Sequence, residues 1–546
     1  MIGKALRYYR TLKYLKPRQT VGRAFAAAKA RINPTPRVEV PGGLAGRRPF
    51  RVEPIEHAPT NVAEDIREGI FRFLNREERL GFPPDWRAAK TPLLWRFNLH
   101  YHHYLALLPE EEARALRADW IEKNPYGKGA AWHPYPLSLR ITAWIKRGAT
   151  GTEAESLYRQ AAFLFRRLEF YHPANHYLEN ARALVLAGRF FGGAGESARW
   201  LAKGNDILKR ETPEHVFRDG AYFERSPTYH ALMFELILDV LNASPEDDEN
   251  SSFLAPLAER MARFLRAATH PDGGPALVND SSLEIAPPID RLLDYARRLG
   301  VPTPDPFKNG LATFPDAGFF AYSDENYYLL IKGGAIGPDH IPAHAHADVF
   351  SFELSYRGAR FAIDAGVGEY QAGEIRTHAR SSRAHNVCEI DGVDHAECWG
   401  GFRVARRYAP REVAFERSGD AIVFRGMFDG YSKLIGDGIT WRRTLTLDPM
   451  AGALTVRDEI DGRGDHKATT RLRLHPAFAA SEIEGGFEAT DGERRTVILA
   501  EDAALESARY FPEFGVEREA RAVAVSRSGL PTALTYRVWF GERIEG

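Results

Sequence analysis

The spacing of apolar residues changes once along this chain, near residue 310, and that change limits the possible folds more than any other feature. From roughly residue 60 to 310 the period is helical: in SLYRQAAFLFRRLEFY, Leu157, Ala161, Leu164 and Leu168 fall three or four apart. Such segments are separated by short breaks at Asn124-Pro125-Tyr126-Gly127, Pro271-Asp272-Gly273-Gly274 and Pro302 to Pro306. Paired helices with these connections predict a helical bundle or toroid. From Gly318 onward the segments GFFAYSDENYYLLIKGG, AIVFRGMF, ITWRRTLTLD, GALTVRDEI, TTRLRLHP and YRVWFGE read as strands with turns between them. Strands that follow one another without helices favour an antiparallel sandwich. The expected division is a helical domain over 1–312, opening with a basic N-terminal arm, and a β-sandwich over 313–546, with the boundary between residues 305 and 320.

A length of 546 residues agrees with two cores. Lys+Arg and Asp+Glu both total 73, so no overall basic field argues for nucleic acid or an anionic membrane. Any affinity for a polyanion must come from a local patch. Cys388 and Cys398 are too few for a disulfide framework and lack the spacing of a thiolate zinc site. The opening MIGKALRYYRTLKYLKPRQT interrupts its apolar residues with Lys and Arg, leaving no export-signal core, and no stretch is long and apolar enough to insert in a membrane. The expectation is a cytoplasmic protein, or a periplasmic or secreted one if this sequence is a piece of a longer precursor.

Polar residues of three clusters are candidates for chemistry. In HIPAHAHADVFSFELSYRGARFAIDAG, residues 340 to 366, alternation from Val349 predicts a half-buried strand with Phe350, Phe352, Leu354 and Tyr356 on one face. Arg357-Gly358 reads as the turn, and Arg360 to Asp364 as the returning strand. His344, His346 and Asp348 precede this pair, and His385 follows in THARSSRAHNVCEIDG. His346, Asp364 and His385 form a set suited to zinc or another divalent ion, provided their strands are neighbours. Scattered structural histidines, or the direct metal site of a hydrolase, are the alternatives.

In NHYLENARALVLAG, Asn175, His176 and Glu179 share one helical surface and can meet a carboxylate; an ordinary polar face behind an Asn cap fits equally. In ERSPTYHALMFELILDVL, Ser226-Pro227 marks a helix start and places Tyr229 and His230 in the first turn, where side chains often face a ligand. Packing of Tyr229 and a structural hydrogen bond for His230 are the plainer readings. Arg376, Arg380 and Arg383 can bind sulfate or carboxylate, or can simply be solvated.

Taken in order, NHYLENARALVLAG, DGAYFERSPTYHALM, AHAHADVFSFEL, FAIDAGVGEY and SRAHNVCEIDG resemble the heparinase II/III-like polysaccharide lyases, as do WRFNLHYHHYL from Trp95 and WHPYPLSLRITAW from Trp132. The resemblance covers most of residues 90 to 400. It implies an incomplete (α/α) toroid followed by an antiparallel β-sandwich, with an acidic polysaccharide in the groove between them and cleavage by β-elimination. By similarity Asn175 and His176 contact the uronate carboxylate, Tyr229 takes the C5 proton or protonates the leaving oxygen, His344 is the base from the sandwich, and His230 supports them. Tyr229 and His344 are then expected on opposite sides of the sugar. Substrate contacts are expected from Glu179, whose family position varies, and from Arg225, Trp132 and Arg383. His346, Asp364 and His385 match positions holding a structural divalent ion, zinc first, with manganese or calcium as alternatives; Asp348 stays open between a supporting partner and a strand-end cap. A non-catalytic polysaccharide-binding protein is the competing class.

Overall fold

The computed structural model describes residues 2–541 apart from 34, 36, 59 and 306–309, so the break expected at Pro306 falls outside the described residues. The first half is helical: α1 (Ile2–Leu12), α2 (Pro17–Ile32), α3 (Ala63–Arg67), a hairpin of β1 (Ile70–Phe73) and β2 (Arg76–Arg79), then α4 (Leu93–Tyr101), α5 (Glu110–Lys123), α6 (Pro134–Arg147), α7 (Thr152–Arg166), α8 (Asn175–Phe190), α9 (Gly195–His215), α10 (Pro227–Ala243), α11 (Glu249–Ala267) and α12 (Ile289–Arg298). Among the described residues no helix is long and apolar enough to cross a membrane.

Helix α8 lies at the centre of this toroid, packed against α6, α9 and α10, and only His176 and Arg189 along it are not buried. Its approach to α9 depends on Gly188 and Gly204. A Cβ at either would come within 2.9 Å and 2.8 Å of backbone oxygens of Ser197 and Ala181 respectively, closer than real Cβ atoms come. Two apolar clusters fill the toroid, one around Trp95, Trp120, Trp144 and Trp200, the other around Phe234, Leu254 and Leu292. Each large side chain so buried contributes about 1.5–3 kcal/mol.

The second half is a sandwich of two antiparallel sheets. The nine-stranded one runs in the order Ala503–Tyr510, Arg518–Ser528, Lys467–Leu474, β7 (Ala359–Ala362), β6 (Phe352–Tyr356), β5 (Tyr327–Lys332), β4 (Phe319–Ser323) and β3 (Gly310–Phe314), with Cys388–Ile390 paired beside Lys467–Leu474. The eight-stranded sheet contains Arg411–Ser418, Ala421–Phe428, Thr440–Asp448, Ala453–Asp461 and Thr532–Phe540 among its members. Phe350, Phe352, Leu354, Phe424, Trp441 and Val456 belong to the core between them. The expected division at 312 and 313 falls inside β3, the edge strand of the larger sheet.

Strand β6 corrects the half-buried reading. It starts at Phe352, after Phe350 turns the chain with φ +61°, and both of its faces are buried. Phe352 and Leu354 enter the sandwich core. On the other face Glu353 and Ser355 meet the helical half: His270 bonds Glu353 Oε2 at 2.8 Å through Nε2 and Ser355 Oγ at 2.7 Å through Nδ1, while the Leu277 amide donates to Glu353 Oε1 at 2.6 Å. Alternation suggested a solvated face; the polar residues there instead find buried polar partners in the other domain, as burial requires. The returning strand β7 ends at Ala362, so Asp364 sits just beyond it.

Candidate active site between the helical half and the sandwich

A cavity of about 740 Å³ opens between the two halves. Asn175, His176 and Glu179 reach it from the first turns of α8, Tyr229 from α10, and His344 from the loop that joins β5 to β6. Residues Thr11 to Arg23 of the N-terminal arm contribute part of one wall.

Local sequence explains each placement. Ser226 caps α10 by accepting the Tyr229 amide at 3.2 Å, with Pro227 at the first helical position, as the sequence indicated. Asn175 is the first residue of α8 rather than its cap; its Oδ1 accepts the His176 amide at 2.9 Å, which leaves its NH2 end to offer a ligand. His176 is held between the rings of Tyr135 and His172, at 4.1 and 4.4 Å between centroids, and its Nδ1 lies 3.1 Å from Glu169 Oε1. Burial works to raise the Glu169 carboxyl, but His176, followed by His133 and His172, outweighs it and holds the group below its ordinary value.

His344 is fixed by the helical half. Its Nδ1 lies 2.8 Å from Asp280 Oδ2, and the Asp280 amide donates to the His344 carbonyl at 3.3 Å. Asp280 also meets His346 Nε2 at 2.8 Å and the guanidinium of Arg376, whose second nitrogen donates to Oδ2 at 2.8 Å. Burial alone would raise this carboxyl; Arg376 and the two histidine hydrogen bonds keep it well below the ordinary carboxylate range. An ionised Asp280 accepts Nδ1–H of His344, which places the ring's lone pair on Nε2.

The Tyr229 ring stacks on His344, and its hydroxyl lies 3.0 Å from that of Tyr370. Burial first, then Tyr370, Asp280 and Glu224, push the Tyr229 phenol well above its usual value, so it is a proton donor at neutral pH. Glu179 is raised to about 7 by burial, against the opposing pull of Arg182, with which it makes a 2.6 Å ion-pair contact.

The rings of Tyr229 and His344 are in contact, with centroids 3.9 Å apart, so no sugar ring fits between them. The expectation that they flank the sugar from opposite sides is therefore corrected: both address a ligand from one side.

Several other expected site residues lie away from the cavity. His230 is fully buried, its Nδ1 accepting the Tyr222 amide at 3.1 Å and its Nε2 bonding the Met261 carbonyl at 2.9 Å, so it braces the α10 turn. Trp132 packs with Trp120, Tyr126 and Phe163 inside the toroid. Arg225 donates to the Ala317 carbonyl at 2.8 Å and ties the two halves together. Arg383 faces outward beside Glu506, whereas Arg376 and Arg380 are buried on protein acceptors rather than free for sulfate.

His346, Asp364 and His385 do come together, with ligand atoms within 4.8 Å of one another and all three fully buried. His385 Nδ1 bonds Asp364 Oδ2 at 2.7 Å, while His346 Nδ1 and His385 Nε2 have no hydrogen-bond partner. Burial pushes Asp364 well above the usual carboxylate range. None of the three lines the cavity, so the cluster does not face a ligand held there, as the hydrolase reading would need. Asp348 pairs with Lys332, whose Nζ lies 2.5 and 2.7 Å from its two oxygens, and its charge also acts on His385, which fits a supporting partner of the trio rather than a strand-end cap.

Asp280, Tyr370 and Glu169 are the site residues that sequence reasoning missed. Asp280 sits in an aperiodic loop 64 positions from the histidine it orients, and only the GVGEY stretch containing Tyr370 carried any signal.

Comparison with known proteins agrees with this architecture. Residues 115–286 match the heparinase II/III N-terminus and residues 308–536 the heparinase II/III-like C-terminal domain. A heparin-sulfate lyase of Pedobacter heparinus is 25% identical over 315 residues, 50% of this chain and 47% of that protein. Another from Bacteroides stercoris is 24% identical over 375 residues, 56% of this chain and 55% of that protein. The chain thus spans about half the length of the curated relatives it matches. A crystal structure of heparinase III shares the fold, with a TM-score of 0.67 at 16% identity over 84% of this chain and 79% of that one. With matches to both halves in chain order and a toroid-plus-sandwich structure to carry them, this chain belongs to the heparinase II/III-like family.

Proposed function

We propose that this protein cleaves a uronic-acid-containing polysaccharide by β-elimination, leaving an unsaturated uronate end. The observation that carries the reading is the convergence of Asn175, Tyr229 and an Asp280-oriented His344 in one cavity. In this reading the NH2 of Asn175, with His176 beside it, binds the uronate carboxylate and stabilises the charge that develops there as C5 loses its proton. Nε2 of His344 accepts that proton. The electron pair of the C5–H bond becomes the C4=C5 double bond as the C4–O bond breaks, and the departing oxygen takes the proton of the Tyr229 hydroxyl. Tyr370, within hydrogen-bond distance of that hydroxyl, helps to hold it in place for the transfer. The high pKa direction of Tyr229 supports the acid role over the base role. Because both groups lie on one side, departure of the proton and of the leaving group from the same face of the sugar fits the geometry.

The relatives are named for heparin sulfate, which supports a glycosaminoglycan as the substrate class; alginate and bacterial exopolysaccharides also offer uronates. The buried trio of His346, Asp364 and His385 suits a divalent ion, zinc by its two-imidazole, one-carboxylate donor set, with manganese or calcium as alternatives. The two unpartnered imidazole nitrogens support that assignment. Such an ion would supply structural charge there, and His346, which also bonds Asp280, would link it to the carboxylate that orients His344.

A panel of uronic-acid polymers followed by ultraviolet absorbance and mass spectrometry tests the reading. Growth of the absorbance of a C4=C5 bond, with products of matching mass, is the expected result. Unbroken polymers across the panel, or saturated products, overturn it.

A further inference from the structure

We propose a second divalent-metal site, of zinc-like preference, formed by Glu214 and His215 at the end of α9 and by His340 from the loop between β5 and β6. The proposal is independent of the elimination chemistry. The ligand atoms of the three residues lie within 4.8 Å of one another. His215 is fully buried, and neither of its ring nitrogens has a hydrogen-bond partner. His340 Nε2 is likewise without one, 3.6 Å from Glu214 Oε1, and a buried oxygen of Glu211 is left unpartnered 3.8 Å from His215 Nε2. Unsatisfied polar atoms on three neighbouring residues, His215, His340 and Glu211, are costly and call for an occupant, which would take one nitrogen from each ring.

Two imidazoles and a carboxylate make a donor set that a borderline-soft divalent ion takes readily. Burial, together with the neighbouring cationic groups, lowers His215 to about 3 and His340 to about 4, so both rings are neutral ligands that need shed no proton. The opposing charges are Lys16, in contact with Glu214, and Arg18, 2.7 Å from Glu211 and 3.5 Å from Glu214. Lys16 is the part that can yield: its side chain is 36% exposed and can swing into water, whereas Arg18 keeps its bond to Glu211. The ion therefore exchanges with the Lys16 ammonium. Once bound, it joins α9 of the helical half to the loop that carries His344 four residues on, at the rim of the cavity that His340 lines.

The test uses the full chain stripped with a chelator, titrated with zinc by calorimetry and counted by elemental analysis after desalting. A Glu214→Gln/His340→Gln double variant is expected to hold one equivalent fewer than the parent, whatever the sandwich trio holds. Lys16→Gln, a change at a half-buried side chain, is expected to bind the same equivalent about tenfold more tightly, because a like charge and a competitor are removed. The proposal is overturned if the double variant keeps the parent's stoichiometry, or if Lys16→Gln leaves the affinity unchanged; water then satisfies the orphaned atoms. Circular dichroism of the double variant separates a lost site from a lost fold, and the Lys16→Gln result stands without it.

Discussion

The imidazole of His344 lies on the phenol ring of Tyr229 with the planes 29° from parallel, one residue supplied by the sandwich and the other by the toroid. Neither half alone can hold this pair, so the proposed elimination depends on the register of the two domains as much as on the two side chains.

Tyr229→Phe keeps the ring and its stacking and removes only the hydroxyl. Turnover of a uronate polymer is expected to fall by about 10²–10⁴-fold with the substrate's binding constant little changed. Initial rates from ultraviolet absorbance, alongside direct binding, check this; retained turnover would reassign the acid.

Asp280→Asn removes the anion shared by His344, His346 and Arg376. The variant is expected to lose activity and about 3–5 kcal/mol of stability, since a fully buried guanidinium is left uncompensated. Denaturant titration measures the loss, and adding Arg376→Met should restore part of the stability without restoring activity.

Zinc added to the chelator-stripped chain is expected to raise its melting temperature by a few degrees, because an ion that binds only the folded state shifts the equilibrium toward it. His385→Asn should abolish the part due to the sandwich trio. An identical gain in parent and variant would remove the ion from that cluster.

Glu179 provides a pH-dependent prediction. A carboxyl raised to about 7 binds its proton more tightly in the folded state than in the unfolded one, so its contribution is complete below about pH 4.5 and is lost as pH climbs through 7. Glu179→Gln should therefore be more stable than the parent at pH 8, by on the order of 1–3 kcal/mol, and show little difference at pH 5. Urea midpoints at the two pH values decide it; equal differences at both would show that Glu179 does not titrate in this window.

Much of this architecture was legible in the order of residues, for identifiable reasons. Helical period and strand alternation report which face of an element is covered, so the change of texture located the two halves, and the Ser226-Pro227 signature placed Tyr229 in the first turn of α10. The resemblance brought Asn175, Tyr229 and His344 to one place, and all three line the cavity. Partnership across the chain was not legible. Trp132 and Arg225 have the chemistry of sugar contacts, yet one is taken by a cluster of aromatic rings and the other by a carbonyl 92 residues away. Asp280 looked like an ordinary loop aspartate because what distinguishes it, three cationic or donor groups converging on one carboxylate, exists only after folding.

The larger sheet is roofed by the smaller sheet on one side and floored by the toroid on the other, with Glu353 and Ser355 anchored to His270. Splitting the gene just ahead of β3 would therefore give not two tidy modules but a sandwich with a bared apolar underside, where Phe319, Tyr328 and Leu330 had met Phe264. Engineers seeking a smaller version of this scaffold should trim its outer strands and loops, and keep that seam whole.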